Sequence, residues 1–205
     1  METVTADRVI EWGVATLTRA GQAVCGDRYV VKAFPDGVLV AAIDGIGHGH
    51  EAADAANIAV TILEAYSDES VLSLLKRCHE DLKTTRGVVL SVASFSAAES
   101  TMTWLGVGNV EGRLLRADSL AQPRHESLVL RGGVVGGQLP TLYASMLRVA
   151  PGDTLGFATD GIRSDFPERL TVTESPQRTA DQILAGYSKQ TDDALVLVAR
   201  FVRQP

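Results

Sequence analysis

The chain has 205 residues, a length that suits one domain with a well-buried core better than two small domains. Its 45% hydrophobic and 21% charged residues are ordinary for a globular protein. The formal net charge of -6 argues against nucleic acid as a main partner, because phosphate backbones are bound by clustered Lys and Arg. Lys and Arg are scattered here, with no run longer than Lys76-Arg77. We therefore expect a single domain over residues 1–205 and no nucleic-acid partner.

The two cysteines and the N-terminus bear on the compartment. Cys25 and Cys78 are too few for a disulfide framework and match no zinc-binding spacing, so each is interpreted as a free, buried thiol. The N-terminus lacks a basic stretch followed by an apolar core, and no apolar run is long enough to span a bilayer. We expect a cytoplasmic protein without a leader segment or a membrane partner.

The N-terminal half is predicted to contain three strands and then two helices. Pro35-Asp36-Gly37 is typical of a hairpin turn between the second and third strands. The third strand lacks polar alternation, which indicates that both of its faces are covered. A glycine-rich segment at 45–49 precedes the helices, and Asp68 is expected to cap the second one. The predicted strands are residues 9–18, 29–34 and 37–43, and the predicted helices are residues 50–66 and 69–83.

From Gly87 onward short strands dominate, with one late helix at 178–187. Gly106-Val107-Gly108-Asn109 is interpreted as a bend rather than a dinucleotide-binding turn, because a further strand follows it. This order of elements favours antiparallel sheets packed face to face with helices outside. The predicted strands are residues 88–95, 101–107, 113–117, 126–131, 145–149, 154–158 and 194–202.

Four acidic places are candidates for chemistry: Asp27, Asp44, Asp160 and the pair Asp192-Asp193. Asp44 and Asp160 each end an apolar run and precede a glycine, which lets the backbone turn sharply and exposes its carbonyl. Asp-Gly can also be a simple turn, as Asp36-Gly37 is predicted to be. That interpretation fits Asp44 and Asp160 less well, because neither leads into a hairpin partner.

Converging carboxylates without thiol ligands and with few histidines indicate a hard cation such as Mg²⁺ or Mn²⁺ rather than zinc. Two such ions can activate water and neutralise a phosphoryl group, so hydrolysis needs no covalent protein nucleophile. The sequence also lacks the motifs of enzymes that use a covalent nucleophile or a P-loop. Neither cysteine has an arginine six positions later, and there is no Gly-x-Ser-x-Gly elbow and no Gly-Lys of a P-loop. A metal nuclease is disfavoured by the negative charge.

The same segments resemble the PPM family of protein phosphatase 2C-like enzymes, and within it the bacterial SpoIIE-like branch. Each motif alone is weak, but together they lie in the family's order and cover residues 9–202. The resemblance implies an α+β fold, an α-β-β-α sandwich of two antiparallel sheets flanked by helices. It also implies a Mn- or Mg-dependent protein-serine/threonine phosphatase with two divalent cations. The matching motifs are Gly26-Asp27, Asp44-Gly45-Ile46-Gly47-His48-Gly49, Pro151-Gly152-Asp153-Thr154-Leu155 with Thr159-Asp160-Gly161, and Asp192-Asp193-Ala194.

The resemblance also implies roles for individual residues. Asp44 would bridge the two cations, and the Gly45 carbonyl would bind one of them. Asp160 would hold the other cation together with Asp192 or Asp193, and the order within the family's last motif favours Asp192. Asp44 and Asp160 would be the catalytic residues of the metal site. The implied metal ligands are Asp27 (directly or through water), Asp44, Gly45, Asp160, Asp192 and Asp193.

Two positions depart from the family pattern. Ile46 stands where many members have a histidine that protonates the leaving group, and His48 lies two residues further on. His48 is either a replacement for that histidine or a loop residue without catalytic duty. The arginine that grips phosphate in larger relatives has no clear counterpart. Arg28 is the nearby candidate, and otherwise phosphate binding rests on the metals alone.

The small size and the glycine-rich segment 131–140 resemble RsbX-type stressosome phosphatases, stand-alone catalytic domains that act on phosphorylated STAS-domain regulators. The segment is either a mobile surface loop or a substrate-docking loop, with Val134 and Val135 as apolar anchors. Two alternatives stay open. One is the same chemistry on another anti-sigma-factor antagonist. The other is a catalytically weak binding module, which is disfavoured because a scaffold does not need converging like charges.

Overall fold

The computed structural model describes residues 9–202 and contains two β-sheets stacked face to face. A core of side chains from both sheets fills the space between them, including Phe95, Phe157 and Phe201. Helices cover the outer face of each sheet and bury a separate cluster there. The predicted α-β-β-α sandwich is therefore confirmed.

Every predicted helix is present, and the predicted strands are present with one change described below. The strands are β1 Ile10–Leu17, β2 Asp27–Phe34, β3 Gly37–Gly45, β4 Val88–Ser96, β5 Thr101–Val107, β6 Glu111–Leu115, β7 His125–Ser127, β8 Leu130–Arg131, β9 Ser145–Arg148, β10 Thr154–Ala158 and β11 Ala194–Phe201. The helices are α1 His50–Ala65, α2 Val71–Leu82 and α3 Pro176–Tyr187, with a 3₁₀ turn at Phe166–Arg169.

The two sheets differ in their helical cover. The first sheet has the order β1-β11-β10-β6-β7 and is antiparallel, and α3 packs against it. The second sheet has the order β2-β3-β4-β5-β8, with β9 also pairing with β5, and lies under α1 and α2. All of its pairs are antiparallel except β5 with β8, a parallel contact of two residue pairs.

The hairpin between β2 and β3 is confirmed. Phe34 pairs with Gly37, so Pro35 and Asp36 form a two-residue turn. The apolar residues of β3 from Val38 to Ile43 are 0% exposed, as expected for a strand covered on both faces. This strand carries Asp44 out of the core at its far end.

The single strand predicted at 126–131 is wrong, because the chain crosses there from one sheet to the other. His125–Ser127 pairs with β6 in the first sheet, and Leu130–Arg131 pairs with β5 in the second. Between them Leu128 is buried in the core shared by the sheets, and its N–H donates to the Gly112 carbonyl. A buried apolar side chain at the crossing explains why the sequence pattern looks continuous.

The start of α2 also corrects a prediction. Ser70, not Asp68, caps the helix, since its hydroxyl accepts a hydrogen bond from the Ser73 N–H. Both cysteines are free, but only Cys78 is fully buried, whereas Cys25 is half-buried. Burial raises the pKa of Cys25 to about 11, which makes it a poor nucleophile at neutral pH.

Across residues 9–202, the helices are too short or too polar to cross a bilayer. The expectation that no leader segment precedes the domain concerns residues 1–8, which lie outside the described part of the chain.

Candidate active site

Strand ends from both sheets surround an open cavity of about 560 Å³ at one end of the sandwich. The acidic places predicted from the sequence converge there, although they lie far apart along the chain. The aspartates that line the cavity are Asp27, Asp44, Asp160, Asp192 and Asp193.

Asp27 and Asp44 come from neighbouring strands. They are directly opposite each other in the β2–β3 pairing, a position in which side chains are near neighbours. The side chain of Asp44 accepts no hydrogen bond and forms no ion pair with any residue in the described range. Burial, followed by the negative charge of Asp27 and the other carboxylates, raises the pKa of Asp44 to about 8. Asp44 is thus a largely buried carboxylate without a partner.

Asp27 is more buried and better supported than Asp44. It is 4% exposed, and its Oδ2 accepts a 2.7 Å hydrogen bond from the Thr159 hydroxyl. That hydroxyl also accepts from the Leu195 N–H at 2.8 Å, so Thr159 ties the first sheet to the second at the site. Burial raises the pKa of Asp27 to about 7, although the hydrogen bond from Thr159 lowers it.

Asp160 follows β10 and is held by two contacts. The side-chain amide of Asn109 donates to Asp160 Oδ2 at 2.8 Å, and the Lys189 amine donates to the Asp160 carbonyl at 2.6 Å. Asp160 Oδ1 accepts no hydrogen bond from the described residues. One oxygen of this carboxylate is therefore fixed and the other is free of protein donors.

Asp192 and Asp193 have different environments despite being adjacent. Asp193 is 5% exposed, and its two oxygens accept hydrogen bonds from the Arg19 N–H at 2.8 Å and the Gly26 N–H at 2.7 Å. Asp192 is half-buried and accepts one bond, at 3.0 Å from the Asp193 N–H. Asp193 thus fixes the loop before β2, whereas Asp192 retains a free oxygen at the cavity.

The glycine-rich segment after β3 passes close to α1. A Cβ on Gly45 would lie 2.1 Å from the Ala52 carbonyl oxygen, so only glycine fits there. Asp44, Ile46 and His48 line the cavity, but Gly45 itself does not. His48 is exposed at the rim, as either of its two predicted roles requires.

The structure places Arg28, the predicted phosphate contact, outside the lining of the cavity, and a different arginine lines it. Successive side chains of a strand point to opposite faces, so Arg28 points away from the face of Asp27. Its guanidinium donates to the Asn57 side chain at 2.8 Å and to the carbonyls of Cys25 and Asp27. Arg19 instead lines the cavity, and its guanidinium pairs with no carboxylate in the described part of the chain.

Val135, a predicted substrate anchor, also lies outside the lining of the cavity. Val135 is 0% exposed, and its backbone pairs with Val88 through two 2.9 Å hydrogen bonds. Val134 is half-buried and packs against the core between the sheets. The N–H of Gly136 donates to His79 Nδ1 at 3.0 Å, which ties the segment to α2. Within 131–140, Gly132 and Gly133 are the residues that line the cavity.

The cavity fits a hard cation by its chemistry. Five carboxylates line it, and Asp44 is a largely buried carboxyl group whose ionised form has no protein cation beside it. Between residues 9 and 202, no three His, Cys, Asp or Glu side chains already form the coordination sphere of one ion.

Three residues beside the carboxylates were not predicted: Arg19, Asn109 and Thr159. Thr159 stands next to Asp160 in a recognised motif, which was a usable signal. Asn109 belongs to a bend that the sequence identified only as a break between strands. Arg19 lies in a loop without periodicity, so nothing in the sequence distinguished it from the other scattered arginines.

Comparisons with known proteins agree on the family. The model of the family described as "Stage II sporulation protein E (SpoIIE)" matches residues 35–202. The chain is 30% identical over 190 residues to the phosphoserine phosphatase RsbX of Bacillus subtilis (strain 168), covering 91% of this chain and 92% of RsbX.

Two solved structures share the fold over nearly the whole chain. One comes from a study of the bacterial stressosome as a modular system adapted to control secondary messenger signalling. It has a TM-score of 0.85 and 28% identity, covering 93% of this chain and 99% of the other. The second is a crystal structure of RsbX in complex with magnesium, with a TM-score of 0.84 and 22% identity, covering 94% of this chain and 96% of the other. This chain therefore belongs to the SpoIIE family.

Proposed function

We propose that this protein is a metal-dependent serine/threonine protein phosphatase that acts on phosphorylated STAS-domain regulators of the stressosome type. The observation that carries the proposal is Asp44, a largely buried carboxylate without a protein partner among other carboxylates in an open cavity. A buried anion of this kind is costly unless a cation binds it. Membership of the SpoIIE family and 30% identity to a phosphoserine phosphatase support the same reaction.

The residues that would hold two divalent cations, Mn²⁺ or Mg²⁺, are Asp44, Asp160 and Asp192, which line the cavity. The Gly45 carbonyl is added on the family resemblance alone, since Gly45 does not line the cavity. Asp192 is preferred over Asp193 because backbone N–H groups already occupy both oxygens of Asp193. Asp27 would contribute directly or through water from its position beside Asp44. Cations held there supply an activated water at neutral pH and positive charge beside the phosphoryl group.

Other residues of the cavity would handle the phosphate ester itself. The Arg19 guanidinium, free of ion pairs in the described structure, would bind phosphoryl oxygens. Thr159 would keep Asp27 in place through its hydroxyl. His48 at the rim is the histidine available to protonate a departing serine oxygen, and the alternative of a loop residue without that duty stays open.

The substrate assignment is supported by the openness of the site and by the relatives. A phosphoserine on a folded protein must reach the carboxylates without unfolding, and the cavity opens to solvent at exposed residues such as His48 and Asn109. The phosphoserine phosphatase RsbX and the structure from the stressosome study support a stressosome-related phosphoprotein as substrate, and the STAS domain is the part of the proposal that rests on the family resemblance alone. Two free cysteines suit a reducing compartment, so the proposal includes a cytoplasmic location.

The test is phosphate release from p-nitrophenyl phosphate, from matched phosphoserine and phosphotyrosine peptides and from a phosphorylated STAS-domain protein. We expect EDTA to abolish activity and Mn²⁺ or Mg²⁺ to restore it, with turnover of the phosphoserine peptide exceeding that of the phosphotyrosine peptide. Undiminished turnover after exhaustive chelation would rule out the metal mechanism. Activity on both peptides but none on the STAS-domain protein would retain the metal-dependent phosphatase reaction and indicate another anti-sigma-factor antagonist as the substrate.

The remaining alternative is a binding module without catalysis. No observation favours it, and the same assay decides it. A chain that binds Mn²⁺ but releases no phosphate from any of these substrates would be such a module.

A further inference from the structure

The bend between β5 and β6 places a side chain at the edge of the candidate active site. Gly108 has a φ of 94°, and a Cβ there would lie 2.2 Å from a methyl carbon of Val89. Only glycine satisfies both conditions, so the chain turns there and directs Asn109 to the cavity. Asn109 and Asp160 also line a second cavity, of about 440 Å³.

The backbone on either side of Asn109 is anchored. The Gly108 N–H donates to the Arg131 carbonyl at 2.8 Å, and the buried Ser91 hydroxyl donates to the Val110 carbonyl at 2.6 Å. From this fixed position the Asn109 amide donates to Asp160 Oδ2 at 2.8 Å. The contact therefore joins a rigid turn to a carboxylate that follows a different strand.

We propose that Asn109 is a positioning residue that orients the Asp160 carboxylate for a divalent cation; this rests on the proposed function. The amide occupies Oδ2 and leaves Oδ1 free of protein donors. Carboxylates that bind metals are usually oriented by such outer hydrogen bonds, whose loss typically weakens metal binding by about 10–100-fold. An amide achieves this without adding another negative charge to the aspartates of the cavity.

A purely structural role fits Asn109 less well. The residue is exposed, so water can solvate its amide and folding does not require the contact. Removing the amide is therefore expected to leave the fold intact while Asp160 loses its orientation. This difference makes the two roles separable by experiment.

The test is calorimetric titration of Mn²⁺ into metal-free wild-type protein and into Asn109→Ala, without any phosphatase substrate. We expect at least one Mn²⁺ binding step to weaken by about 10–100-fold. The melting temperature of the metal-free variant should change by less than about 3 °C. Gln138→Ala is the matched control, because the exposed Gln138 side-chain amide makes no hydrogen bond within residues 9–202. This variant should leave the Mn²⁺ affinity and the melting temperature unchanged.

A double-mutant cycle assigns the effect to Asp160. In an Asp160→Asn background, Asn109→Ala should change the remaining Mn²⁺ affinity by less than about twofold, because the oriented carboxylate is gone. An equal loss in both backgrounds overturns the inference, as does a wild-type affinity in Asn109→Ala or a large fall in its melting temperature. If the wild-type protein binds no Mn²⁺, the proposed function fails as well. If wild type and Asn109→Ala bind Mn²⁺ with the same affinity, only the role of Asn109 fails.

Discussion

Two buried aspartates of this chain, Asp153 and Asp44, show what distinguishes a structural carboxylate from one available for chemistry. Asp153 is 3% exposed and accepts hydrogen bonds from the N–H groups of Ala117 and Ala150 and from Arg116. Asp44 is also largely buried, yet no described residue donates to it. Burial alone is common to both. The difference in partners indicates that Asp153 stabilises the fold, whereas the Asp44 carboxylate is available to a ligand from outside the chain.

The largest expected effect separates the two aspartates by activity. Asp44→Asn should lower turnover of p-nitrophenyl phosphate at saturating Mn²⁺ by far more than the roughly 10–100-fold typical of an outer-shell partner, since an amide binds cations poorly. Asp153→Asn should leave the turnover of the folded protein near wild type. Asp36→Asn, in the β2–β3 turn, is the control for any aspartate change. More than a tenth of wild-type activity in Asp44→Asn would contradict the site assignment.

In contrast to activity, the free energy of unfolding should be lowered more by substitution of Asp153 than by substitution of Asp44. Asp153→Ala leaves two N–H groups without an acceptor and removes one of the two carboxylates that contact Arg116, so we expect a loss of about 3 kcal/mol in the free energy of unfolding. Asp44→Asn should unfold no more easily than wild type in EDTA. Urea denaturation of both variants at one pH measures the difference. Equal destabilisation would show that Asp44 has a structural partner after all.

The arginines near the two aspartates extend the comparison. Arg116 forms salt bridges with Asp153 and Glu126, whereas Arg19 has no ion pair in the described structure. Arg19→Ala should raise KM for phosphate esters by about 10–100-fold, the loss expected for a hydrogen bond to a charged group. Arg28→Ala is the control, because Arg28 is bound on the helix-facing side of β2. Steady-state kinetics in which both variants have the same KM would exclude Arg19 as the phosphate ligand.

The smallest expected effect is a pH dependence of the metal-free protein. The pKa of Asp44 is raised to about 8, so in the folded state it holds a proton that the unfolded chain releases near pH 4. Its contribution to stability is complete below pH 4 and is lost as pH rises toward 8. The stability of Asp44→Asn relative to wild type should therefore increase as pH rises from 5 to 9 in EDTA.

The matched measurement is thermal unfolding of wild type and Asp44→Asn across this pH range, with Asp36→Asn as the reference. A stability difference that does not change with pH would mean that Asp44 titrates normally. In that case the carboxylates would not interact as closely as the structure indicates.

Several features of the fold were predictable because they depend on local patterns. The covered strand β3 is apolar at every position from Val38 to Ile43, and the turn at Pro35-Asp36 has strong local preferences. The convergence of Asp44, Asp160 and Asp192 was predictable from ordered motifs along the chain. By contrast, the crossing at Leu128 was hidden, since a buried residue between two short strands has the pattern of one continuous strand.

The predicted substrate contacts that do not line the cavity share one physical cause, which is side-chain direction. Arg28 is adjacent to Asp27 in sequence, but the alternation of a strand points it toward α1. Val134 and Val135 diverge in the same way, one packing between the sheets and the other under α2. Proximity along the chain therefore identified segments that reach the cavity, but not which of their side chains line it.

The sequence by itself determined the family, most of the order of strands and helices, and the set of aspartates that line the cavity. These depend on residue types at short spacings, and local spacing is visible in one dimension. Only the tertiary structure decided that Asp193 is occupied by backbone N–H groups while Asp192 is not, and that Arg19 and Asn109 lie beside the carboxylates. Those facts depend on contacts between segments up to 174 positions apart, which form only when the two sheets stack.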